Sequence, residues 1–248
     1  MAQTLNIAHS LEYRLWQILF QAGWKVPATG VNLVPVAGAE HTYAVPEIRF
    51  RWVFLDSSGK NTSNEHVKVY RNGDLVPSDQ YSVDFEHGQI IFASPIAGTL
   101  TADITYFAAT VREGYPDPDE LNLLTMSDLP IIAYAIEAQD ARPFAIGDGR
   151  RDRWYNVTVD LLTTDKTQTK LLTDDLMDRL PHVGLLDTSA QWVLTPIGTA
   201  NVAFNFDDQL SIYLRVDDLR SITLKPRLGG SDKERNRALV TCTIKNVS

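Results

Sequence analysis

The residue types that most often act as nucleophiles or metal ligands are scarce in this sequence, which contains one cysteine and five histidines. The histidines do not occur at the His-Glu-x-x-His spacing of metalloproteases, and none pairs with the cysteine at the spacing of a structural zinc site. The sequence has neither a Gly-x-Ser-x-Gly nucleophile elbow nor a Walker-type phosphate loop. We therefore expect no enzymatic activity and no catalytic, cofactor-binding or metal-binding residues. The histidines are interpreted as loop or helix-surface residues: His9, His41, His66, His87 and His182.

The cysteine, Cys242, lies in the run 238–244, where apolar and polar residues alternate. Such an alternation predicts a strand with one buried face, so we interpret the thiol as a small core side chain. A single cysteine also excludes an intrachain disulfide.

Charged residues form several clusters, each of which has either a catalytic or a simpler structural interpretation. A hydrolase needs two carboxylates facing each other across a cleft, and solvated loops explain the acidic clusters more simply. Gly147-Asp148-Gly149 lacks a third glycine and leads into a predicted strand, so we interpret it as a turn. Two basic clusters directly precede predicted strands, where they either contact an acidic neighbouring subunit or are solvated strand entrances. The acidic residues are Asp117, Asp119, Glu120, Asp207, Asp208, Asp217 and Asp218; the basic ones are Arg150, Arg151, Arg153, Lys233, Arg235 and Arg237.

Composition sets broad limits on the function. The chain has 248 residues, of which 44% are hydrophobic, and a net charge of −8. That length suits two compact domains, and the acidic balance argues against a protein whose main role is to bind nucleic-acid phosphates. The N-terminus lacks the charged and apolar regions of a signal peptide, and no apolar run is long enough to span a bilayer. We expect a protein assembled in a cytoplasm.

The first half predicts one helix followed by a β domain. Apolar residues at three- and four-residue steps predict a helix over 7–22, ended by Gly23. The alternation in Ile48–Phe54 predicts a strand with one buried face. Asn72-Gly73 supplies the two positive-φ residues of a type I′ hairpin, and Glu86-His87-Gly88 forms a second turn. Short strands at this spacing indicate an antiparallel sandwich or barrel.

The second half, after a proline-rich break at 114–120, predicts an α+β domain. Two strands, at 129–136 and 154–162, precede a helix for which Asp165 is the N-cap. Leu172, Leu176 and Leu180 lie on one face of that helix, which Pro181 ends. Further strands are expected at 191–194, 211–216, 221–224 and 238–244. The predicted fold is thus α+β and β-rich, with an N-terminal helix and linker (1–30), an antiparallel β-sandwich or barrel (31–113) and a helix packed on a mostly antiparallel sheet (114–248).

The order of elements in the second half resembles the tail-terminator (tail completion, head–tail joining) family of tailed bacteriophages. The strand 130–136 leads to a Gly/Arg loop at 147–153 and a long strand at 154–162. The helix 166–180 follows, and basic residues precede the closing strand 238–244. The resemblance covers about half the chain and rests on this pattern of elements. The first half is an added module that resembles β-sandwiches of phage virion proteins.

This resemblance implies a structural role in a virion neck. Proteins of the family form rings, commonly of six or twelve subunits, between the portal and the tail tube, and double-stranded DNA passes through them without sequence-specific binding. A repeated contact between different surfaces of one subunit closes such a ring. The residues expected to make contacts with subunits or neck proteins are Arg150, Arg151, Arg153, Asn72, Gly73, Glu86, His87 and Gly88.

Three alternatives remain open from the sequence, of which the last is a hydrolase that uses the scattered aspartates. The protein could be a stopper, connector or collar protein of the same neck. From another functional class, a carbohydrate-binding β-sandwich could use Trp24, Trp52 and Trp192 as sugar platforms, although Trp52 alternates with apolar neighbours and is better interpreted as a core residue.

Overall fold

The computed structural model describes residues 2–48, 50–57, 65–114, 128–143, 151–186, 210–224 and 236–246. These residues form a strand-rich α+β fold with antiparallel sheets and an N-terminal helix, as the sequence predicts. They divide into two compact units. The described part of one, the sandwich unit, lies within Leu19–Ala108; the other, the sheet unit, consists of the described residues of 1–18, 109–188 and 210–248.

The sandwich unit contains two antiparallel four-stranded sheets. The strand order in the first is β1 (Lys25–Asn32), β8 (Leu100–Phe107), β4 (Val67–Arg71) and β5 (Asp74–Leu75). In the second it is β2 (Val34–Pro35), β3 (Thr42–Ala44), β7 (Gln89–Phe92) and β6 (Tyr81–Asp84), with a 3₁₀ turn at Ser78–Gln80. Buried side chains of both sheets meet in one core, which includes Val67, Val69, Val83, Ile90 and Ala102.

The sheet unit contains one six-stranded sheet. The strand order is β12 (His182–Leu186), β13 (Leu210–Leu224), β14 (Asn236–Asn246), β11 (Arg151–Thr163), β10 (Ile131–Pro143) and β9 (Thr110–Glu113). All neighbours are antiparallel except β9 and β10. Two helices accompany it: α1 (Ala2–Gln21), whose residues from Leu19 onward belong to the sandwich unit, and α2 (Lys166–Arg179).

Both helices cover the same face of the six-stranded sheet. The hydroxyls of Thr163 and Thr169 are 2.6 Å apart, which places α2 on the Thr163 face of β11. The hydroxyl of Tyr134, whose register partner on β11 is Val159, donates to Glu12 of α1 at 3.2 Å. Because residues 159 and 163 are an even number of positions apart, they face the same side of the strand. One core of the unit therefore lies between this face and the two helices, and a second buried cluster, formed by Leu129, Ile131, Ala133 and Leu162, lies at the opposite face of β10 and β11.

The predicted C-terminal cap of α1 and N-terminal cap of α2 are confirmed, but α1 begins at Ala2, five residues before the predicted start. Asp165 caps α2, accepting a hydrogen bond from the backbone N–H of Gln168 at 2.8 Å. Gly23, with φ of +80°, ends α1 in a Schellman motif: its N–H donates to Phe20 at 3.2 Å, and the N–H of Trp24 donates to Leu19 at 2.8 Å.

The predicted apolar face of α2 is also confirmed. Leu172, Leu176 and Leu180 are at most 1% exposed. Burying each of these leucines contributes roughly 2 kcal/mol.

The strand predicted at Ile48–Phe54 is wrong. Its described residues, 48 and 50–54, form an isolated bridge between Trp52 and Tyr106 and no strand, and Val53 is as fully buried as Trp52. The N–H of Trp52 donates to Phe85 while that of Val53 donates to Thr105, so successive residues bond to different parts of the sandwich. Trp52 and Val53 are thus both buried, so among the described residues of the segment the alternation in the sequence does not correspond to one buried and one exposed face.

Several other segments differ from the sequence expectations. Lys25–Asn32, assigned to the helix and linker, forms β1, and Thr110–Glu113, assigned to the β-sandwich, pairs with β10 in the sheet unit. The strands predicted at 211–216 and 221–224 are one continuous strand, β13, with a bulge at 217–220 where Asp218 has a φ of +52°. β12 was not predicted, and the strand expected at 191–194 lies outside the described residues.

Candidate interaction surfaces

The Asn72-Gly73 turn joins β4 to β5 in the predicted conformation. Both residues are exposed and have positive φ values of +52° and +92°, as a type I′ turn requires. The side chain of Asn72 accepts a hydrogen bond from the N–H of Thr99 at 3.0 Å. A Cβ at Gly98 would lie 2.8 Å from the Asn72 side chain, so the two turns are closely packed. The amide side chain of Asn72 thus holds this turn against the neighbouring turn at Gly98-Thr99.

The Glu86-His87-Gly88 turn is organised by Asp84. One carboxylate oxygen of this buried residue accepts the backbone N–H groups of Glu86 and His87, both at 3.0 Å. The other lies 2.8 Å from Nδ1 of His87, whose side chain is 60% exposed. At Gly88, with φ of +62°, a Cβ would lie 2.8 Å from the indole nitrogen of Trp52. The turn is therefore rigid, and it presents Glu86 and the His87 ring to solvent.

These two turns lie toward opposite ends of strand β8. Asn72 bonds to Thr99, just before the strand begins, whereas Gly88 contacts Trp52, which bridges to Tyr106 near the strand's end. Six residues of extended chain separate Leu100 from Tyr106 and span roughly 20 Å. The two predicted contact turns consequently belong to two separate surfaces of the sandwich unit.

The predicted basic contacts lie at the start of β11. Arg151 is the first residue of the strand and is in register with Pro143 of β10, while Arg153 is in register with Ala141 and with Asn246 of β14. Arg150 lies outside the described residues. Because Arg151 and Arg153 belong to the sheet unit, they form a third candidate element in addition to the two turns.

Strand β1, an edge strand of the sandwich, has few backbone donors on its outer side. The N–H of Ala108 donates to Trp24 at 2.9 Å, so in this antiparallel ladder Lys25 and Pro27 occupy the positions that face outward. The N–H of Lys25 already donates to Gly23 at 2.8 Å, and proline has none. The N–H of Gly30 donates to Asp103 at 2.8 Å. This edge is thus poorly suited to pairing with a further strand.

The sheet unit carries a polar surface that sequence reasoning missed. We call it the polar face: it is the side of β11, β14 and β13 opposite to the helices. In register, Thr158 pairs with Thr241, Asn156 with Thr243, and Trp154 with Lys245. All of these residues are partly exposed. The polar face comprises Trp154, Asn156, Thr158, Asp217, Thr241, Thr243 and Lys245.

Charge on the polar face is locally balanced. The ammonium of Lys245 lies 2.7 Å from a carboxylate oxygen of Asp217 and 5.1 Å from the centre of the Trp154 ring. The hydroxyl of Thr243 donates to the side-chain oxygen of Asn156 at 3.5 Å. The face therefore offers hydroxyl and amide groups to a polar partner. The signal for it was the alternation of polar with apolar residues in both strands.

An ion pair near one end of the same face holds a buried charge. Asp160 is 1% exposed, and both of its carboxylate oxygens accept hydrogen bonds from Nε of Arg237 at 2.8 Å. Nη2 of Arg237 also donates to Asp160. Since the carboxylate is fully engaged by the guanidinium, we interpret the pair as structural.

The thiol of Cys242 is 5% exposed and lies in the core, as the sequence predicts. Burial raises its pKa to about 12. The reactive thiolate is therefore scarce at neutral pH, which is unsuitable for a nucleophile.

The structure excludes one of the three tryptophans that the carbohydrate-binding alternative requires. Trp52 is 0% exposed and belongs to the sandwich core, so its ring cannot stack on a ligand. Trp24 is partly buried, and Trp192 lies outside the described residues.

Two further properties concern the described residues alone. They contain no group of three or more histidine, cysteine, aspartate or glutamate side chains arranged to hold a metal ion. Neither α1 nor α2 combines the length and apolar character needed to cross a membrane.

Comparison with known proteins gives no family for this chain. No protein-family model matches the sequence, and no curated protein is significantly similar to it.

Proposed function

We propose that this protein is a structural subunit of the neck of a tailed-phage virion. It forms a homo-oligomeric ring, of six or twelve copies, between the portal or connector and the tail tube, in a tail-terminator or tail-completion role. Its other partners are neck and tail-tube proteins. It is assembled in the host cytoplasm and becomes part of the virion.

The order of elements in the sheet unit is the observation that carries this proposal. β10 and β11 are strands of 13 residues each, followed directly by α2, and the C-terminal strand β14 pairs with β11 along 11 registered positions. This is the order on which the resemblance to tail terminators rests, and it occurs within a single sheet.

The surfaces of the two units also support an assembly role. The sandwich unit presents two rigid turns toward opposite ends of β8, and the sheet unit presents the polar face and the start of β11. A subunit with different contact elements on different sides can form a heterologous contact, which closes a ring when repeated by rotation. Two buried ionisable groups, the carboxylate of Asp160 and the thiol of Cys242, belong to the core.

The charge of the chain is compatible with DNA passage. With a net charge of −8, the protein as a whole repels the phosphate backbone. DNA would then move through the ring without sequence-specific contacts, because readout of sequence requires side chains placed against base edges.

The mass of the purified protein and its place in the particle test the proposal. Light scattering after size-exclusion chromatography should give six or twelve times the 27.7 kDa subunit mass, alone or with a neck partner. Electron cryomicroscopy of virions should show the ring at the neck. A virion that lacks the protein would refute the proposal.

Substitution of the basic cluster separates a contact role from a purely solvated one. Replacing Arg150, Arg151 and Arg153 together by glutamate should abolish ring formation or head–tail joining. The matched triple lysine variant keeps the positive charge and should retain most of the ring formation and head–tail joining. Unchanged mass and infectivity of the glutamate variant would remove these residues from the interface.

A stopper, connector or collar role in the same neck is the alternative within this class. Copy number and contact with the tail tube distinguish it from a terminator, since only a terminator ring caps the tube directly.

A further inference from the structure

The ring of His66 packs against the last turn of α1 within the sandwich unit. Its centroid lies 5.8 Å from that of Phe20, with the two planes tilted by 56°. The ammonium of Lys25, the first residue of β1, lies 3.6 Å from the centre of the same Phe20 ring. Phe20 itself is 6% exposed. This aromatic contact therefore brings together the end of α1 and the residue that precedes β4.

Protonation of the ring nitrogen Nε2 of His66 is unfavourable in the folded protein. Nε2 is buried and has no hydrogen-bond partner in the part of the chain that the structure describes. A proton added there would create a buried N–H without an acceptor and a cation near the ammonium of Lys25. A buried donor left without an acceptor is costly, and a buried charge more so.

The charged groups around the ring act in both directions. Burial is the largest influence and lowers the pKa of His66 below 6.5; the ammonium of Lys25 also lowers it. Glu65, Asp56 and a hydrogen bond with the backbone of Leu55 oppose this and favour the protonated form, but the net direction is downward. His66 is thus neutral in the folded protein at neutral pH.

We propose that His66 is an acid-sensitive latch: protonation of its ring weakens the contact with Phe20 and releases the last turn of α1, residues 19–21, from the segment that precedes β4. The latch is independent of the proposed role in a virion. It uses only residues within one compact unit, and no additional ligand is needed.

The direction of the effect follows from linkage. The folded pKa is below the value of about 6.5 for an unfolded or released histidine, so the released state binds more protons between these two values. The latched state is therefore fully favoured above about pH 6.5 and loses stability as the pH falls toward the folded pKa. In that window the population of the released state rises by up to about tenfold per pH unit.

Hydrogen exchange of the intact protein measures the latch. After correction for the intrinsic pH dependence of exchange, amides of residues 19–25 should exchange several-fold faster at pH 5.5 than at pH 7.5. In His66→Gln, which cannot be protonated, this difference should disappear. His41→Asn removes a different histidine at a position with φ of +56°, which asparagine tolerates, and should respond like the wild type.

Two charge variants protect the test against simple misfolding. Lys25→Met removes a neighbouring ammonium and should move the midpoint of release to higher pH, whereas Glu65→Gln should move it to lower pH. Opposite shifts cannot arise from general destabilisation. Exchange at residues 19–25 that is independent of pH in the wild type, or midpoints that both variants shift in the same direction, would overturn the proposal.

Discussion

One turn of the sandwich unit and two contacts of the sheet unit differ in how far apart along the chain the hydrogen-bonded residues lie. In the sandwich unit, Asp84 fixes the turn at Glu86-His87-Gly88 through hydrogen bonds to residues at most three positions away. In the sheet unit, Asp160 bonds to Arg237, 77 positions away, and Glu12 accepts from Tyr134, 122 positions away. The hydrogen bonds that fix this turn are thus local, whereas these two contacts of the sheet unit form only when distant strands and helices have assembled.

This difference has a consequence for stability. A local turn retains part of its preference in the unfolded chain, so removing it costs little more than its own conformational energy. A long-range buried pair leaves an uncompensated charge when one partner is removed. Substitutions that break a buried contact between distant residues should therefore have larger effects than those that break a local or exposed contact, and the following variants test that ranking from largest to smallest.

Arg237→Met should have the largest effect. It leaves the carboxylate of Asp160 buried without its partner, which we expect to cost about 4 kcal/mol of unfolding free energy. Urea denaturation measures the loss. Replacing both residues, as Arg237→Met with Asp160→Leu, should recover most of it, and a double variant as unstable as the single one would show that the pair is not the cause.

Gly88→Ala should be the most damaging turn variant. The new Cβ would meet the buried indole of Trp52 at 2.8 Å, in a backbone conformation that alanine disfavours, and we expect a loss of about 3 kcal/mol. Gly73→Ala is the matched control, since its φ is also positive but nothing lies within 4 Å of the new Cβ; it should lose about 1 kcal/mol. Equal losses in thermal or urea unfolding would contradict the packing argument.

Asp165→Ala tests a local signal inside the sheet unit. Loss of the N-cap bond to Gln168 should cost about 1 kcal/mol, whereas Asp165→Asn should stay within a few tenths because asparagine caps equally well. If the alanine variant lost as much as Arg237→Met, the distinction between local and long-range contacts would fail.

Lys245→Met should have the smallest effect. Its ion pair with Asp217 is partly exposed, with side chains 31% and 20% accessible, so solvent screening limits the loss to about 0.5 kcal/mol. Urea denaturation at low and at high salt should show that this small difference shrinks as salt rises. A loss comparable with that of Arg237→Met would mean that the polar face is more strongly coupled to the core than its exposure indicates.

The difference between local and long-range contacts explains which features the sequence predicts. Asn72-Gly73, the Asp165 cap and the leucine face of α2 depend on residues within a turn or two, so local patterns identify them. Ile48–Phe54 was misassigned because its alternation matches a strand, while its hydrogen bonds go to two distant parts of the sandwich.

The candidate surfaces also combine features that local sequence predicts with features that only long-range pairing determines. The two turn tips could be named from the sequence, but their positions toward opposite ends of β8 follow from long-range pairing. The polar face was missed because it requires the register of β11 with β14, and the contact of His66 with Phe20 joins residues 46 positions apart. Alternation alone does not say which polar sides of separate strands share one surface.

The copy number and location of the protein in purified virions test the proposed role most directly. Quantitative mass spectrometry together with electron cryomicroscopy of the particle should place six or twelve copies in a ring at the neck, with the sheet unit in contact with neighbouring subunits. Particles that assemble, join heads to tails and infect without this protein would contradict the account.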